Sequence, residues 1–225
     1  MDARVAIVAG AGGGLGQATA HTLHRAGLTV VAVDRDDVGL KALPDGIRTE
    51  VADATDPSVA KPLVDRIATE VGAPAILVNT IGAYALGDAL SVTPDALHTM
   101  VEVNVGPALW LTRAVAPHMQ QQGSGAIVHV AARPGLEATA GVAAYATAKA
   151  ALVHLTRTLD LELRPLGIRV NAVAPQVIAT AKNKALFPPD MLAGAVEPEA
   201  IAEVIAFLVS DAAAPVSGAI IPTYG

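Results

Sequence analysis

The stretch Val5-Ala-Ile-Val-Ala-Gly-Ala-Gly-Gly-Gly-Leu-Gly16 decides the fold of this chain. Its first five residues, Val5-Ala9, are apolar without interruption and predict a strand that is buried on both faces. Five glycines follow at positions 10, 12, 13, 14 and 16, where a helical pattern begins. Glycines at such a junction permit a tight turn and let the backbone approach a phosphate at the helix N-terminus. The stretch therefore predicts the first strand, turn and helix of a dinucleotide-binding unit.

Short apolar runs alternate with helical segments along the rest of the chain, which favours a parallel sheet with both faces covered. The predicted strands are Val5-Ala9, Thr29-Val33, Ile47-Val51, Ala75-Asn79, Ala126-Val130, Ile168-Val173 and Ala219-Pro222. The predicted helices span 15–26, 57–71, 94–122, 143–165 and 198–210, with Asp56 and Thr93 as N-caps of the second and third. We expect an α/β fold, a Rossmann-like doubly wound parallel sheet in three α/β/α layers, as one domain over residues 1–225.

Composition and charge exclude several other classes of protein. Of the 225 residues, 52% are hydrophobic and 16% charged, which suits a large core and not a disordered chain. The net charge is -6 without a long basic block, so we expect no nucleic-acid partner. Gly, Pro or charged residues interrupt every apolar stretch, so we expect no membrane partner.

The residue types also limit the chemistry and the compartment. There are no cysteines, and His98, His118 and His154 have no metal-ligand spacing, so we expect no metal. The start Met1-Asp2-Ala3-Arg4 lacks the charged region, apolar segment and cleavage site of a signal peptide. We therefore expect a soluble, cytoplasmic protein.

The end of the second strand bears on the choice of cofactor. Asp34 follows Val33 about eighteen residues after Gly16, where a carboxylate accepts hydrogen bonds from the adenosine ribose. The same carboxylate repels a 2′-phosphate, so it favours NAD(H) as the cofactor. Arg35 could instead bind that phosphate, which leaves NADP(H) open. The other interpretation of Asp34 and Arg35 is a solvated turn; we favour the cofactor role.

A tyrosine and a lysine four residues apart point to the chemistry. Tyr145-Ala-Thr-Ala-Lys149 lies in a helical segment, so the two side chains share one face. An ammonium group close to the phenol would lower the tyrosine pKa toward working pH. Such a phenol can exchange a proton with a substrate oxygen while a nicotinamide exchanges hydride. The alternative is a helical Tyr beside a Lys that reaches solvent.

These motifs together resemble the short-chain dehydrogenase/reductase family over nearly the whole chain. The glycine turn resembles the family pattern Thr-Gly-x-x-x-Gly-x-Gly with Ala9 in place of Thr, and Asp53 resembles the aspartate that contacts adenine. Asn79-Thr80-Ile81-Gly82 is similar to the family's Asn-Asn-Ala-Gly. For this half of the chain the resemblance implies cofactor contacts at Gly10, Gly12, Gly13, Gly14, Leu15, Gly16, Asp34, Arg35, Asp53, Ala54, Asn79 and Gly82.

The second half carries further matches. Tyr145 and Lys149 match the catalytic pair, and Asn104 matches an asparagine of the family's proton relay. In the family the lysine also holds the nicotinamide ribose. The segment that ends at Pro175 resembles the one that leads to the nicotinamide amide, which implies cofactor contacts at Pro175, Val177 and Thr180. The resemblance also implies that helices 94–122 and 143–165 form a homodimer interface, often within a homotetramer.

One departure from the family pattern concerns the substrate. The catalytic serine lies thirteen residues before the tyrosine in the family, and that position here is Ala132. Such a hydroxyl polarises the substrate oxygen and is worth a few kcal/mol of transition-state stabilisation. Three interpretations follow. The enzyme still reduces a carbonyl, slowly or with another donor; or the substrate is already electrophilic, as for dihydropteridine reductases, which this chain resembles here. In the third, hydride transfer is lost and the protein serves as a binding or scaffold module.

Several other residues are candidates for substrate contact. Arg133 follows Ala132 and faces either the pocket or water, Tyr84 lines the mouth or packs, and Gln176 stands where the family has Gly. His129 is expected to make a structural hydrogen bond. Asn183, Lys184 and Phe187 are expected in a flap over the substrate.

The sequence thus favours an NADH-dependent reductase or dehydrogenase. A nucleotide-binding protein with little catalysis is the rival function. A Rossmann methyltransferase is disfavoured by the Tyr-Lys pair, and a hydrolase by the absence of a nucleophile-elbow motif.

Overall fold

A single parallel sheet contains all seven strands of the chain that the structure describes. The computed structural model describes residues 4–225; Met1-Asp2-Ala3, on which the signal-peptide prediction partly rests, lies outside the described residues. The order across the sheet is β3-β2-β1-β4-β5-β6-β7, with every neighbouring pair parallel. The strands are β1 (Val5–Ala9), β2 (Thr29–Asp34), β3 (Arg48–Val51), β4 (Pro74–Asn79), β5 (Gly125–Val130), β6 (Ile168–Pro175) and β7 (Ile220–Thr223).

Eight α-helices connect or follow these strands. They are α1 (Gly14–Arg25), α2 (Asp37–Lys41), α3 (Pro57–Glu70), α4 (Pro94–Gln122), α5 (Ala143–Leu163), α6 (Ala181–Leu186), α7 (Pro189–Leu192) and α8 (Pro198–Val209). The predicted caps are confirmed: Asp56 accepts from the Ser58 amide, and Thr93 from the Ala96 amide. Pro165, which has no N–H, falls in a 3-10 turn, so α5 ends at Leu163 and not at the predicted 165.

Two apolar layers enclose the sheet, so the predicted three-layer α/β/α fold is confirmed. On one face, Leu15 and Leu23 of α1 and Ile205 of α8 pack on Val8 and Val128. On the other face, side chains of α3, α4 and α5 pack on the alternate strand residues; they include Ile67, Leu111, Val115 and Leu159. Because the central strands are buried on both sides, they contain few polar residues, whereas the edge strand β3 is largely exposed and mostly polar. Within residues 4–225, no helix combines the length and apolar character needed to cross a bilayer.

The strand order places a crevice between β1 and β4. The chain runs from β1 outward to β3, and then crosses back to β4 on the other side of β1. The loops after these two strands leave in opposite directions, which opens a gap at their carboxyl ends. The turn after Ala9 and the loop after Asn79 meet there, since the Thr80 amide donates to the Ala9 carbonyl over 2.8 Å.

Candidate active site

A cavity of about 760 Å³ opens at the crevice. The turn after β1, the ends of β2 and β3, and the loop after β4 form its walls. Its lining contains these predicted cofactor residues: Gly10, Gly12, Gly13, Gly14, Asp34, Arg35, Asp53, Ala54, Gly82 and Thr180. Thr80, Lys182 and Asn183 also line it. The structure therefore brings ten of the predicted residues, from five separate segments, to one cavity.

The glycine turn has no space for side chains. A Cβ atom on Gly10 would lie 2.9 Å from the Ile81 amide nitrogen, and one on Gly14 would lie 2.8 Å from Cγ2 of Thr180. The first turn of α1 begins after Gly13, which has no side chain to cap it. The free N–H groups and the positive end of the helix dipole are therefore available for an anion, as a pyrophosphate requires. This cradle fits a dinucleotide.

Asp34 is fixed at the end of β2 by two backbone donors. The Gly12 amide donates to Oδ2 and the Asp36 amide to Oδ1, each over 2.9 Å. Arg35 is directed away from this carboxylate, toward Oδ2 of Asp53 at 3.5 Å. The pKa of Asp53 is lowered, first by the hydrogen bond from the Thr55 hydroxyl and also by Arg35. The wall of this cavity therefore presents three carboxylates, those of Asp34, Asp36 and Asp53, with Arg35 and Lys182 as the cations.

A second cavity of about 230 Å³ adjoins the first. Both cavities share the residues Thr80, Gly82, Ala83, Tyr84, Asn183 and Phe187. The second cavity is also lined by Ala132, Tyr145, Lys149, Pro175, Gln176 and Val177. Pro175 and Val177, expected as cofactor contacts, thus lie on the wall near Tyr145 and not beside the glycine turn.

Tyr145 and Lys149 lie on the same face of α5, as their spacing predicts. Lys149 is buried, its Nζ donates to the Val130 carbonyl over 2.8 Å, and burial lowers its pKa to about 8. The Tyr145 ring centroid is 5.9 Å from that Nζ. The expected lowering of the Tyr145 pKa is wrong for this structure: burial raises it, and nearby Tyr84 raises it further. The lysine instead directs a proton at a backbone carbonyl.

The side chains of Asn104 and Lys149 both lie close to Gly82. Asn104 lies fully buried in α4, accepts from the Ala83 amide and donates to the carbonyls of Ala83 and Met100. A Cβ on Gly82 would lie 2.8 Å from the Asn104 Oδ1 and 3.1 Å from the Lys149 Nζ. The amide of Asn104 and the ammonium of Lys149 thus both face the position that a Cβ on Gly82 would occupy.

Ala132 is buried on the wall of the second cavity, next to a polar cluster that the sequence did not predict. Arg133 does not line the cavity; its Nη1 donates to Oε1 of Gln176 and its Nε to Oε2 of Glu137, each over 2.8 Å. The ring of Tyr224 lies 4.9 Å from the guanidinium carbon. Sequence reasoning missed Tyr224 because nothing local links residue 224 to residue 133. It also missed Glu137, although the four-residue spacing from Arg133 was a local signal.

Three predicted cofactor residues lie outside both cavities. Leu15 packs its side chain in the core, and Gly16 packs on the backbone of Gly10. Asn79 is buried and accepts from the Ile81 amide over 3.1 Å, which shapes the loop after β4. All three support the walls of the cavity from behind.

The prediction for His129 is wrong. Its ring is fully buried in β5, and neither nitrogen has a hydrogen-bond partner among the described residues. Burial, with the nearby charge of Lys149, lowers its pKa to about 4. His129 is therefore a neutral imidazole behind the site.

Two of the three residues named for the predicted flap line the cavities. Phe187 and Asn183 line both cavities, whereas Lys184 pairs with Glu197 at 3.0 Å and lines neither. Phe187 also contacts Tyr84 edge to face, with ring centroids 5.6 Å apart.

Comparison with known proteins places these features in a family. The short chain dehydrogenase family profile matches residues 4–190. The chain is 31% identical to meso-2,3-butanediol dehydrogenase of Serratia marcescens over 100% of this chain and 94% of that protein. It is 39% identical to the short-chain reductase protein NovJ of Streptomyces niveus, over 78% of this chain and 70% of NovJ. A solved structure from Burkholderia xenovorans, described as a short-chain dehydrogenase/reductase, superposes with a TM-score of 0.92 at 30% identity, over 99% of this chain and 95% of that one.

Proposed function

The chain belongs to the short-chain dehydrogenase/reductase family of NAD(P)-dependent oxidoreductases, and we propose that it transfers hydride between NAD(H) and a small C=O or activated C=N compound. One observation carries this proposal: the cavity that holds Tyr145 and Lys149 shares a wall with the glycine-rich cavity. A dinucleotide on the glycine turn thus has its reactive end directed toward the tyrosine.

Three residues of the second cavity, Tyr145, Lys149 and Asn104, have a proposed task. The bound nicotinamide supplies or accepts the hydride. Tyr145 gives its phenolic proton to the substrate oxygen, or takes one from an alcohol. Lys149 holds the nicotinamide ribose and favours the phenolate when the proton leaves. Asn104, whose Oδ1 lies close to Gly82 as the Lys149 Nζ does, anchors the return of a proton to that lysine.

Asp34 supports NAD(H) over NADP(H). Its carboxylate is fixed at the cavity wall by the Gly12 and Asp36 amides, and it lies where an adenosine ribose would bind. A 2′-phosphate there would meet a negative charge. Arg35 is directed toward Asp53, although rotation of its exposed side chain would bring a positive charge to the same ribose.

Ala132 supports a substrate that needs little polarisation. A methyl group lines the cavity where the family serine stands, so an activated C=N compound or a polarised carbonyl fits the chemistry. The rings of Tyr84 and Tyr145 lie edge to face with centroids 5.0 Å apart, beside Phe187. Such a wall suits a small flat ring, and a dihydropteridine-reductase-like activity is our first candidate.

The test is NADH oxidation with quinonoid dihydropterin, beside a panel of simple ketones. Fast turnover of the dihydropterin alone supports a pre-activated substrate. Turnover of a ketone and none of the dihydropterin supports a carbonyl reductase in which another group replaces the serine. Binding of NADH without turnover of any panel compound favours the second candidate, a nucleotide-binding protein with little catalysis. The raised pKa of Tyr145 supports this candidate.

We also propose a homodimer or homotetramer. Leu97 and Val101 of α4 and Leu161 of α5 are exposed to 41%, 37% and 71%, and family members are commonly oligomeric. Apolar side chains on two neighbouring helices suit an interface. Light scattering of the purified chain tests this, and a monomer at all concentrations would contradict it.

A further inference from the structure

We propose that the side-chain amide of Gln176 donates a hydrogen bond to the substrate oxygen, in place of the serine hydroxyl that is absent at Ala132. Arg133 is the residue that positions this amide. The inference rests on the proposed function, because it names a further group of the same site. Ala132 and Gln176 line the cavity together with Tyr145.

The contact with Arg133 fixes the orientation of the amide. Arg133 Nη1 lies 2.8 Å from Oε1 of Gln176, and a guanidinium has donors only. The oxygen of Gln176 must therefore face Arg133, and the NH₂ group is left for another partner. Arg133 lies outside the cavity, so the nitrogen is the end of the amide that is free to serve the substrate.

Other amides of the cavity are already engaged. Nδ2 of Asn104 donates to the carbonyls of Ala83 and Met100, and Nδ2 of Asn183 donates to the Ile178 carbonyl. Within residues 4–225, the Gln176 nitrogen donates to no protein group. Thr80 also lines the cavity, but its hydroxyl lies within hydrogen-bond distance of the carbonyls of Ala9 and Gly10. Among the described residues, Gln176 is thus the cavity amide with both N–H donors to spare, whereas Asn183 has one of its two engaged and Asn104 has both engaged.

Arg133 is itself held in place on the far side. Its Nε donates to Glu137 over 2.8 Å, and Tyr224 packs 4.9 Å from its guanidinium carbon. The positive charge of the Arg133 guanidinium, beside the amide oxygen, draws electrons from the amide nitrogen and makes its N–H a stronger donor. An amide polarised in this way can replace a neutral hydroxyl as the donor.

The proposed step leaves the Gln176 protons in place. The C=O π bond of the substrate breaks as hydride forms a C–H bond at carbon, and charge collects on oxygen. Tyr145 transfers its proton to that oxygen and becomes a phenolate. The Gln176 N–H stabilises this charge through a hydrogen bond and transfers no proton, so Gln176 is unchanged by the reaction.

The experiment compares Q176M and Q176E, which keep side-chain length but cannot donate, with the matched exposed substitution Q121E on α4. Rates of NADH oxidation are measured with 2,3-butanedione, acetoin and quinonoid dihydropterin. With the carbonyl compound that the wild type reduces, we expect Q176M and Q176E to lose about 10- to 100-fold in kcat with little change in the KM for NADH. With the dihydropterin we expect a smaller loss, and Q121E should match the wild type.

A rescue experiment distinguishes a hydrogen-bond donor at position 176 from a residue that only fills space. The double variant A132S/Q176M restores a hydroxyl at the usual position, and we expect it to recover most of the lost kcat. R133M should show a smaller loss than Q176M, because the amide remains but is no longer oriented.

Three outcomes overturn the inference. Unchanged kcat in Q176M and Q176E overturns it while the proposed function stands. A loss that A132S does not restore, with a raised KM for NADH, assigns Gln176 to shaping the cavity. If the wild type binds NADH but oxidises it with none of the three substrates, both the proposed function and this inference are contradicted.

Discussion

Lys149 Nζ donates to the backbone carbonyl of Val130 over 2.8 Å, which ties the middle of α5 to the end of β5. The chain then turns at Ala132, two residues further on. A Cβ on Gly135 would meet the backbone of Lys149, so this turn also packs directly on α5. The lysine and the position of the absent serine are therefore held in one rigid unit, which a substitution can test at either end.

We expect Tyr145→Phe to abolish most turnover and to leave cofactor binding intact. The phenolic oxygen carries the proton in the proposed reaction, whereas the ring contributes packing against Tyr84. Loss of a general acid or base typically lowers the rate by about 10²- to 10⁴-fold. Steady-state kinetics give kcat, and NADH fluorescence titration gives Kd, which should stay within about twofold. Equal kcat in wild type and variant would instead support the nucleotide-binding alternative.

Asp34→Ala should shift cofactor preference toward NADPH. The change removes the carboxylate that repels a 2′-phosphate and leaves Arg35 free to approach it. We expect the ratio of kcat/KM for NADH to that for NADPH to fall at least about tenfold, which is about 1.4 kcal/mol. Because the ratio is taken within one protein, a general loss of stability cancels. Asp37→Asn, an exposed change outside the cavity, is the control, and a ratio that falls equally in both variants would refute the role of Asp34.

Gly82→Ala should lower activity without unfolding the protein. The new methyl group would lie 2.8 Å from the Asn104 Oδ1 and 3.1 Å from the Lys149 Nζ, so both groups must shift. A misplacement of about 1 Å can cost about 10²-fold in rate at a catalytic site, so we expect a loss of up to that size. Gly87→Ala is the control, since its nearest neighbour is the Ser91 Oγ at 3.9 Å. Thermal melting should separate the two effects, and normal turnover in Gly82→Ala would show that this junction is outside the reaction.

His129 should make the fold sensitive to acid. Its pKa is about 4 in the folded chain against an ordinary value of 6.5, so between these pH values the unfolded chain binds more protons. Stability contributed by the neutral ring is present above pH 6.5 and is lost as the pH falls toward 4. The loss approaches about 3 kcal/mol.

Urea unfolding from pH 4 to pH 8 measures this dependence. We expect His129→Leu to flatten the slope between pH 4 and 6.5, because no buried ring remains to be protonated. His98→Asn, at an exposed site on α4, should keep the wild-type slope. If His129→Leu keeps it as well, another group sets the acid sensitivity.

The sequence by itself determined the fold class, because the apolar runs and the glycine turn are local signals. Strand ends at Ala9 and Asn79 were predicted correctly, since the polar or glycine residues that follow them break the apolar pattern. It also grouped the glycine turn with Asp34, because parallel strands bring their carboxyl ends to one edge. The four-residue spacing placed Tyr145 and Lys149 on one helix face for the same kind of reason.

Only the tertiary structure decided what surrounds those residues. The direction in which the Tyr145 pKa shifts depends on burial and on Tyr84. The four-residue spacing in α5 carries no information about either. Gln176 and Tyr224 meet Arg133 across 43 and 91 positions of sequence, through the packing of three separate segments. The imidazole ring of His129 has no hydrogen-bond partner among the described residues because two layers of helices cover its strand. Such contacts between distant segments follow from packing, and a local pattern cannot specify them.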